Sequence, residues 1–261
     1  MVTAIPAPFR RILDAQPSRL STLHTYYNAL LAAHGPQHWW PGRTRFEIIV
    51  GAVLTQNTSW KNVERAIANL RAAKLLSPAG VRAISCAILA KHLRPSGYFR
   101  QKTKTLKSFV TFLYENHAGS LNRLFATPTA ALRDQLLSVR GIGPETADSI
   151  LLYAGKHPVF VVDAYSRRIL QRHNLLPADS QNSSHRSYEK VRSLFESHLP
   201  RDPQLFNEFH ALMVQTGKLH CRKSNPLCST CPLVRFLPRS NHPSTTNQSP
   251  FTSHQSQMTL P

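Results

Sequence analysis

The chain has 261 residues, room for one large or two small domains, and its 32 Lys+Arg against 13 Asp+Glu give a formal net charge of +19. So basic a balance points to a polyanionic partner, nucleic acid or an acidic membrane surface, and carries no information on specificity. No apolar run approaches the ~20 residues of a membrane span, no secretory segment opens the chain, and Pro6, Pro8 and Asp14 argue against reading Arg10, Arg11 and Arg19 as a transit peptide, so the expectation is a cytoplasmic protein.

Residues 1–18 are dotted with proline and read as a flexible N-terminus. Leu23, Tyr27, Leu30 and Leu31 predict a helix from Leu20 to Ala33, stopped by His34-Gly35-Pro36. Trp39 and Trp40 follow beside Pro41. Adjacent tryptophans are by default core anchors; the functional reading is an aromatic platform for an extruded base. Phe46 to Leu54 is a strongly apolar helix that runs into Gln56-Asn57-Thr58-Ser59-Trp60. Further helices are expected over Asn62–Ala73 and Val81–Lys91. On the latter, Cys86 shares an apolar face with Ile84, Ala87 and Ile88, which predicts a buried free thiol. Arg94-Pro95-Ser96-Gly97-Tyr98-Phe99 makes a turn, and Lys102, Lys104 and Lys107 lie on a helix through Leu113. A glycine turn carrying an aromatic and followed by lysines suits groove insertion with phosphate contact. An ordinary connector with a solvated charged face fits the residues equally well.

Leu132, Leu136 and Leu137 predict a helix ending near Val139. Gly141-Ile142-Gly143-Pro144 then turns the chain into a second helix over Ala147–Leu152. Such a helix–hairpin–helix exposes backbone N–H groups suited to an anion, with Arg140 beside them. A bare Gly-x-Gly turn between core helices is the bland alternative. Beyond His157-Pro158, the apolar run Val159–Val162 is broken by Asp163, and Ala164–Leu170 reads as another helix. Taken alone, Asp163 is best read as the N-cap of that helix.

The whole order is helix, G-I-G-P hairpin, helix, proline loop, V-V-D, helix. It resembles the helix–hairpin–helix (HhH-GPD) DNA glycosylases of the endonuclease III superfamily. The wording W-W-P, G-A-V-L-T-Q-N-T, R-P-S-G-Y-F, G-I-G-x-E and V-V-D is closest to the 3-methyladenine glycosylase branch, over residues 38–217. The resemblance implies a base excision repair enzyme acting on double-stranded DNA that contains damaged bases, with no membrane partner and as a monomer. It implies Asp163 as the catalytic carboxylate, and the hairpin residues Arg140, Gly141, Ile142, Gly143, Glu145 and Thr146 as the grip on the duplex. Gln56 would fill the gap left by the extruded nucleotide, Tyr98 would be the wedge, and Lys102 would meet phosphate. Trp40, Pro41 and Trp60 would form the base pocket. Lyase-competent members carry a lysine in the frame G-x-G-x-K-[ST]-A. Here Glu145 stands in its place, and a carboxylate forms no Schiff base. The expectation is therefore a monofunctional glycosylase. A carboxylate beside the sugar would stabilise the oxocarbenium-like charge that develops as the base departs. Cationic N-alkylated purines leave readily, and electron-rich rings favour them. In the branch, a lysine follows the essential Asp; here it is Ala164.

Cys221, Cys228 and Cys231 form C-x6-C-x2-C. Relatives hold a [4Fe–4S] cluster with a fourth Cys six residues on, where this chain has Leu237. Three readings stand: a cluster completed by a surrogate such as His220, His242 or a small molecule; a zinc bound by three Cys and one His; or a metal-free remnant.

The expected architecture is all-α, in two domains: a bundle over 43–156 ending in the hairpin, and a second domain from 19–42 plus 157–238 carrying the cysteine loop. Helices are expected there over Tyr188–His198 and Phe206–Gln215. Residues 239–261 read as a disordered tail. The competing functions are a bifunctional glycosylase/lyase on oxidised pyrimidines, against which Glu145 and the tryptophans argue, and a non-catalytic DNA-structure-binding module, against which Asp163 and Gln56 argue.

Overall fold

The computed structural model describes residues 19–176, 180 and 184–238. The expected flexible N-terminus (1–18), the expected tail (239–261), His242 and the middle of the Leu175–Ser184 loop lie outside the described residues. Among the described residues all regular structure is helical and none is strand, so the chain is all-α.

The helices are α1 (Arg19–His34), α2 (Arg45–Leu54), α3 (Trp60–Ala72), α4 (Pro78–Ala83), α5 (Cys86–Leu93), α6 (Phe99–His117), α7 (Leu121–Phe125), α8 (Thr129–Ser138), α9 (Pro144–Ser149), α10 (Ala164–Arg172), α11 (His185–His198) and α12 (Pro203–Leu219). No helix among the described residues is long and apolar enough to cross a membrane.

Two apolar cores organise these elements. α2 is buried on nearly every side, as its unbroken apolar sequence requires, and starts where the Thr44 side chain accepts from the Glu47 N–H. Around it pack the Val63, Ala66, Ile67 and Leu70 stripe of α3, the Leu106, Phe109, Val110 and Leu113 stripe of α6, and Leu132 and Leu136 of α8. The second core joins Leu23, Tyr26 and Leu30 of α1 to Ile169 and Leu170, Phe195, and Phe206, Phe209 and Leu212. Within it Phe160 stacks on Phe195 at 3.7 Å between ring centroids.

The chain crosses between the cores over Ile150–Val162. A wide, π-helical turn, Ile150–Ala154, follows α9. Ile150 and Leu151 enter the first core, Leu152 and Tyr153 the second. Such a turn rotates successive side chains off the ordinary helical register. A buried ion pair ties the two sides together: Arg133 of α8 grips Asp148 of α9 in a fork at 2.7 and 3.1 Å and also reaches Glu189 of α11 at 2.6 Å.

One expected element is broken. The single helix over Val81–Lys91 is two, α4 and α5, because Ser85 stops the chain and caps α5, accepting from the Ile88 N–H at 3.3 Å. Cys86 then falls on the first turn of α5 and is exposed, not buried as its apolar neighbours suggest. Ile88 is exposed with it.

Candidate active site

The hairpin between α8 and α9 is built on Gly141, whose φ of +89° is a left-handed value. A Cβ at Gly141 would also lie 2.1 Å from Thr105 Oγ1 on α6, so no side chain fits there. Ile142 is buried in the first core, and its N–H is spent on the Val139 carbonyl at 3.0 Å. Its side chain therefore anchors the hairpin and does not touch a duplex, which corrects its expected role. Arg140, Gly141 and Gly143 are exposed, and among the described residues no acceptor engages the Gly141 or Gly143 N–H. These free amides beside a guanidinium are suited to a phosphate.

Gln56, in the turn after α2, lies against this hairpin. Its Nε2 donates to Thr146 Oγ1 at 2.8 Å and, at 3.4 Å, to the Gly141 carbonyl. Thr146 is buried, so it holds Gln56 instead of reaching DNA itself. Tyr98 lies on a separate loop, before α6. It is 72% exposed, the largest exposure of any bulky apolar side chain among the described residues, and its own φ is +44°. For a tyrosine that conformation costs about 1–2 kcal/mol.

Lys102 does not meet phosphate. It is 2% exposed, and its ammonium donates to the Leu54 carbonyl at 2.9 Å and the Ser96 carbonyl at 2.7 Å. Burial pulls its pKa below the usual lysine range. It ties the end of α2, which leads to Gln56, to the loop that carries Tyr98. Lys107 is used similarly, on the carbonyls of Arg82 and Ile84. Of the three lysines only Lys104 is exposed.

Asp163 caps α10. Its Oδ1 accepts from the Ser166 N–H at 2.7 Å, and Ser166 Oγ accepts from the Asp163 N–H at 2.9 Å, a full capping box. The other oxygen is not part of the cap. Oδ2 faces the His210 Nε2 at 3.6 Å, with the Asp163 side chain 13% exposed. His210 is buried on α12, and its Nδ1 lies 2.6 Å from the Tyr153 hydroxyl. Burial lowers the His210 pKa, against the opposing pull of Asp163. Glu145 completes the group. Its side chain is exposed on the first turn of α9, yet the protein packed around its carboxyl, then the charge of Asp163, push its pKa up to about 7. The charge of Asp163 thus reaches Glu145, which was expected in the grip on the duplex.

Trp40, Pro41 and Trp60 share one cavity of about 330 Å³ with Glu47, Glu64 and Arg71. Trp40 lies against the Gly51 backbone of α2, where a Cβ would come within 3.2 Å of its ring. The Trp40 and Trp60 rings meet edge to face, at 5.2 Å and 88°. A base sandwiched between two rings needs parallel faces about 7 Å apart, and this perpendicular pair does not offer them. Asp163 does not line this cavity. The connection runs through Tyr153, whose ring lies 4.9 Å from Trp40 and whose hydroxyl meets His210. Neither Tyr153 nor His210 was apparent as a site residue in the sequence. Both sit in apolar runs, where a polar aromatic reads as ordinary core.

The three clustered cysteines line a separate cavity of only about 20 Å³, too small for a base, together with Arg172, His173, His220, Val234 and Leu237. Arg172 Nη1 approaches Cys221 Sγ at 3.1 Å, and His220 is hydrogen-bonded to Thr230. Leu237 presents a hydrocarbon wall where a fourth thiolate would be needed. Among the described residues no group of three or more His, Cys, Asp or Glu side chains is arranged to hold a metal ion. The donor set does not fit a four-thiolate cluster.

A family model described as HhH-GPD superfamily base excision DNA repair protein matches residues 50–198. The Methanocaldococcus jannaschii protein MJ1434, which carries a DNA repair glycosylase name, is 41% identical over 221 residues, covering 84% of this chain and 97% of that protein. Among solved structures, the Helicobacter pylori 3-methyladenine DNA glycosylase MagIII, bound to 1,N6-ethenoadenine, is similar with a TM-score of 0.65 and 28% identity, over 77% of this chain and 98% of that one. A non-covalent endonuclease III–DNA complex shares the fold, with a TM-score of 0.70 at 21% identity, over 85% of this chain and 96% of that one.

Proposed function

This chain belongs to the HhH-GPD superfamily of base excision DNA repair proteins and is a DNA glycosylase of that superfamily; we propose that it is a monofunctional one, working as a monomer and releasing N-alkylated purines such as 3-methyladenine from damaged duplex DNA. The observation that carries this reading is the composition of the centre: the charge of Asp163 reaches Glu145, and so a carboxyl group occupies the position where a Schiff-base amine would be required.

In this reading the hairpin amides and Arg140 hold phosphate, Tyr98 wedges the stack and Gln56 leaves Thr146 to occupy the vacated space. The extruded base lies against Trp40, Pro41 or Trp60. The glycosidic bond breaks with its electron pair leaving on the base, and positive charge grows at the sugar. Asp163 Oδ2, free of the helix cap, stabilises that charge, and the attacking water's proton passes to the carboxylate and on to solvent. An N-alkylated purine departs as a neutral molecule and needs no general acid. The 28% identity to MagIII over nearly all of that chain supports the substrate class. The three-thiol loop takes no part in these steps. Any metal there would need a ligand from outside the Cys set and would only stiffen the loop near DNA.

The test is to incubate the full chain with methylated duplex and identify released bases by mass spectrometry. Free 3-methyladenine or 7-methylguanine is expected, with no nicking of thymine-glycol duplex and no adduct trapped by borohydride. A strong trapped adduct contradicts the reading.

A further inference from the structure

The His210 ring, with the Tyr153 hydroxyl bonded to it, is a buried titratable group of the site that the steps above leave unused. It lies 5% exposed on α12, and its Nε2 has no hydrogen-bond partner although Asp163 Oδ2 is 3.6 Å away. The other ring nitrogen is held by Tyr153 at 2.6 Å. A buried polar atom left without a partner is costly, and in a native protein such an atom calls for an explanation, a catalytic role among them. Here the missing contact has an obvious completion, because 3.6 Å is less than an ångström beyond a normal N–H···O bond.

We propose that His210 is a positioning residue for base removal: as the neutral tautomer carrying its proton on Nε2, it closes onto Asp163 Oδ2 when a nucleotide enters the site, and so fixes the plane of the carboxylate against the sugar. The tautomer follows from the partners. If the Tyr153 hydroxyl donates to Nδ1, the proton must be on Nε2, where it faces an anion; the opposite tautomer would set a lone pair against the carboxylate. The groups facing the ring are Tyr153 from the π-helical turn, Asp163 from the start of α10 and the Phe160 ring. Burial keeps the imidazole neutral. Ser166 restrains one carboxylate oxygen through the capping box, and His210 would restrain the other. Tyr153 also packs on Trp40 at 4.9 Å, so a base pressing on Trp40 is one packed ring away from the residue that orients the histidine.

This inference rests on Asp163 being the catalytic carboxylate, and two readouts separate its failure from a failure of that reading. The first needs no substrate. The ¹⁵N shifts of the His210 ring in the full chain should show the Nε2–H tautomer and should move on Asp163→Asn. An Nδ1–H tautomer, or a ring indifferent to Asp163→Asn, overturns the proposal. The second is single-turnover release of methylated purine. His210→Leu is expected to slow it about 30-fold with binding to an abasic-analogue duplex intact, and to move the acid limb of the pH–rate profile upward. His210→Gln, which keeps a donor near the Nε2 position, should recover most of both effects. A packing role alone would leave the profile in place and make Gln no better than Leu. Should His210→Leu fail to fold, Tyr153→Phe keeps the ring and removes the hydroxyl that sets the tautomer; a loss of about fivefold is expected, and a wild-type rate and pH profile would overturn the proposal.

Discussion

Gln56 reaches across from the end of α2 to the hairpin, its Nε2 donating to Thr146 Oγ1 at 2.8 Å. The residue proposed to fill the emptied base stack is thus docked on the element proposed to grip the backbone. Leaving that dock costs one partly buried hydrogen bond, about 1 kcal/mol, which a flipped nucleotide must offset.

Gln56→Ala should slow single-turnover excision about tenfold, equivalent to ~1.4 kcal/mol, while binding to intact duplex stays the same. Thr146→Val, which releases Gln56, should change extrusion less than Gln56→Ala. Fluorescence of a 2-aminopurine beside the lesion measures the extruded fraction directly, and equal signals in wild type and Gln56→Ala would count against the gap-filling role.

Lys102 and Lys104 should behave oppositely. Lys102→Met leaves the Leu54 and Ser96 carbonyls without their donor, a loss of about 2–3 kcal/mol and a Tm lower by about 5–10 °C. Lys104→Met should leave Tm unchanged, and if Lys104 meets a phosphate it should reduce the slope of log K against log salt by about one. Thermal melts and salt titrations of the two variants decide this; a stable Lys102→Met protein with a reduced salt slope would restore the phosphate role.

Much of this site is written locally and part of it is not. The hairpin is legible because Gly141 and Pro144 impose their conformations wherever they stand, and Asp163 because a helix N-cap is a local feature that the next turn, Ser166, completes. Lys102 was misread from its charge alone; its helical spacing to Leu106, Phe109 and Leu113 puts it on the buried face of α6, and that signal was present in the sequence. Cys86 was misread for the complementary reason, since Ser85 breaks the helix on which its apolar neighbours would have hidden it. The Tyr153–His210 bond spans 57 residues and joins the π-helical turn of the crossover to α12. No local pattern encodes it, and each residue by itself is indistinguishable from core. The edge-to-face meeting of Trp40 and Trp60 is a packing outcome of the same kind.

Glu145 makes stability depend on pH. Its pKa is raised from 4.5 in the unfolded chain to about 7 in the folded one, so the native state binds the proton more tightly. The associated stability is full below about pH 4.5 and is lost as pH rises through about 7. Glu145→Gln removes the charge that causes the loss. Its Tm should exceed that of wild type by about 2 °C near pH 8 and match it near pH 5; the gain is small because solvent reaches the group. A difference of the same size at both pH values would mean that Glu145 is not a raised carboxyl.

The cysteine loop yields a chemical prediction. With Leu237 in the wall and three thiols in the set, anaerobically purified protein should carry far less than the about four irons per chain of a full cluster. Leu237→Cys should raise iron and labile sulfide together. Stoichiometric iron in the wild-type chain would show that a ligand from outside the Cys set completes the site.

The most direct test of the account compares Asp163→Asn with wild type on methylated duplex. Asparagine caps a helix as well as aspartate does, so the variant should fold, melt and bind DNA as wild type does and differ only in the charge offered to the sugar. The account predicts that release of 3-methyladenine falls by about a thousandfold while affinity for the duplex is kept. Release at a wild-type rate by a folded Asp163→Asn protein would contradict it.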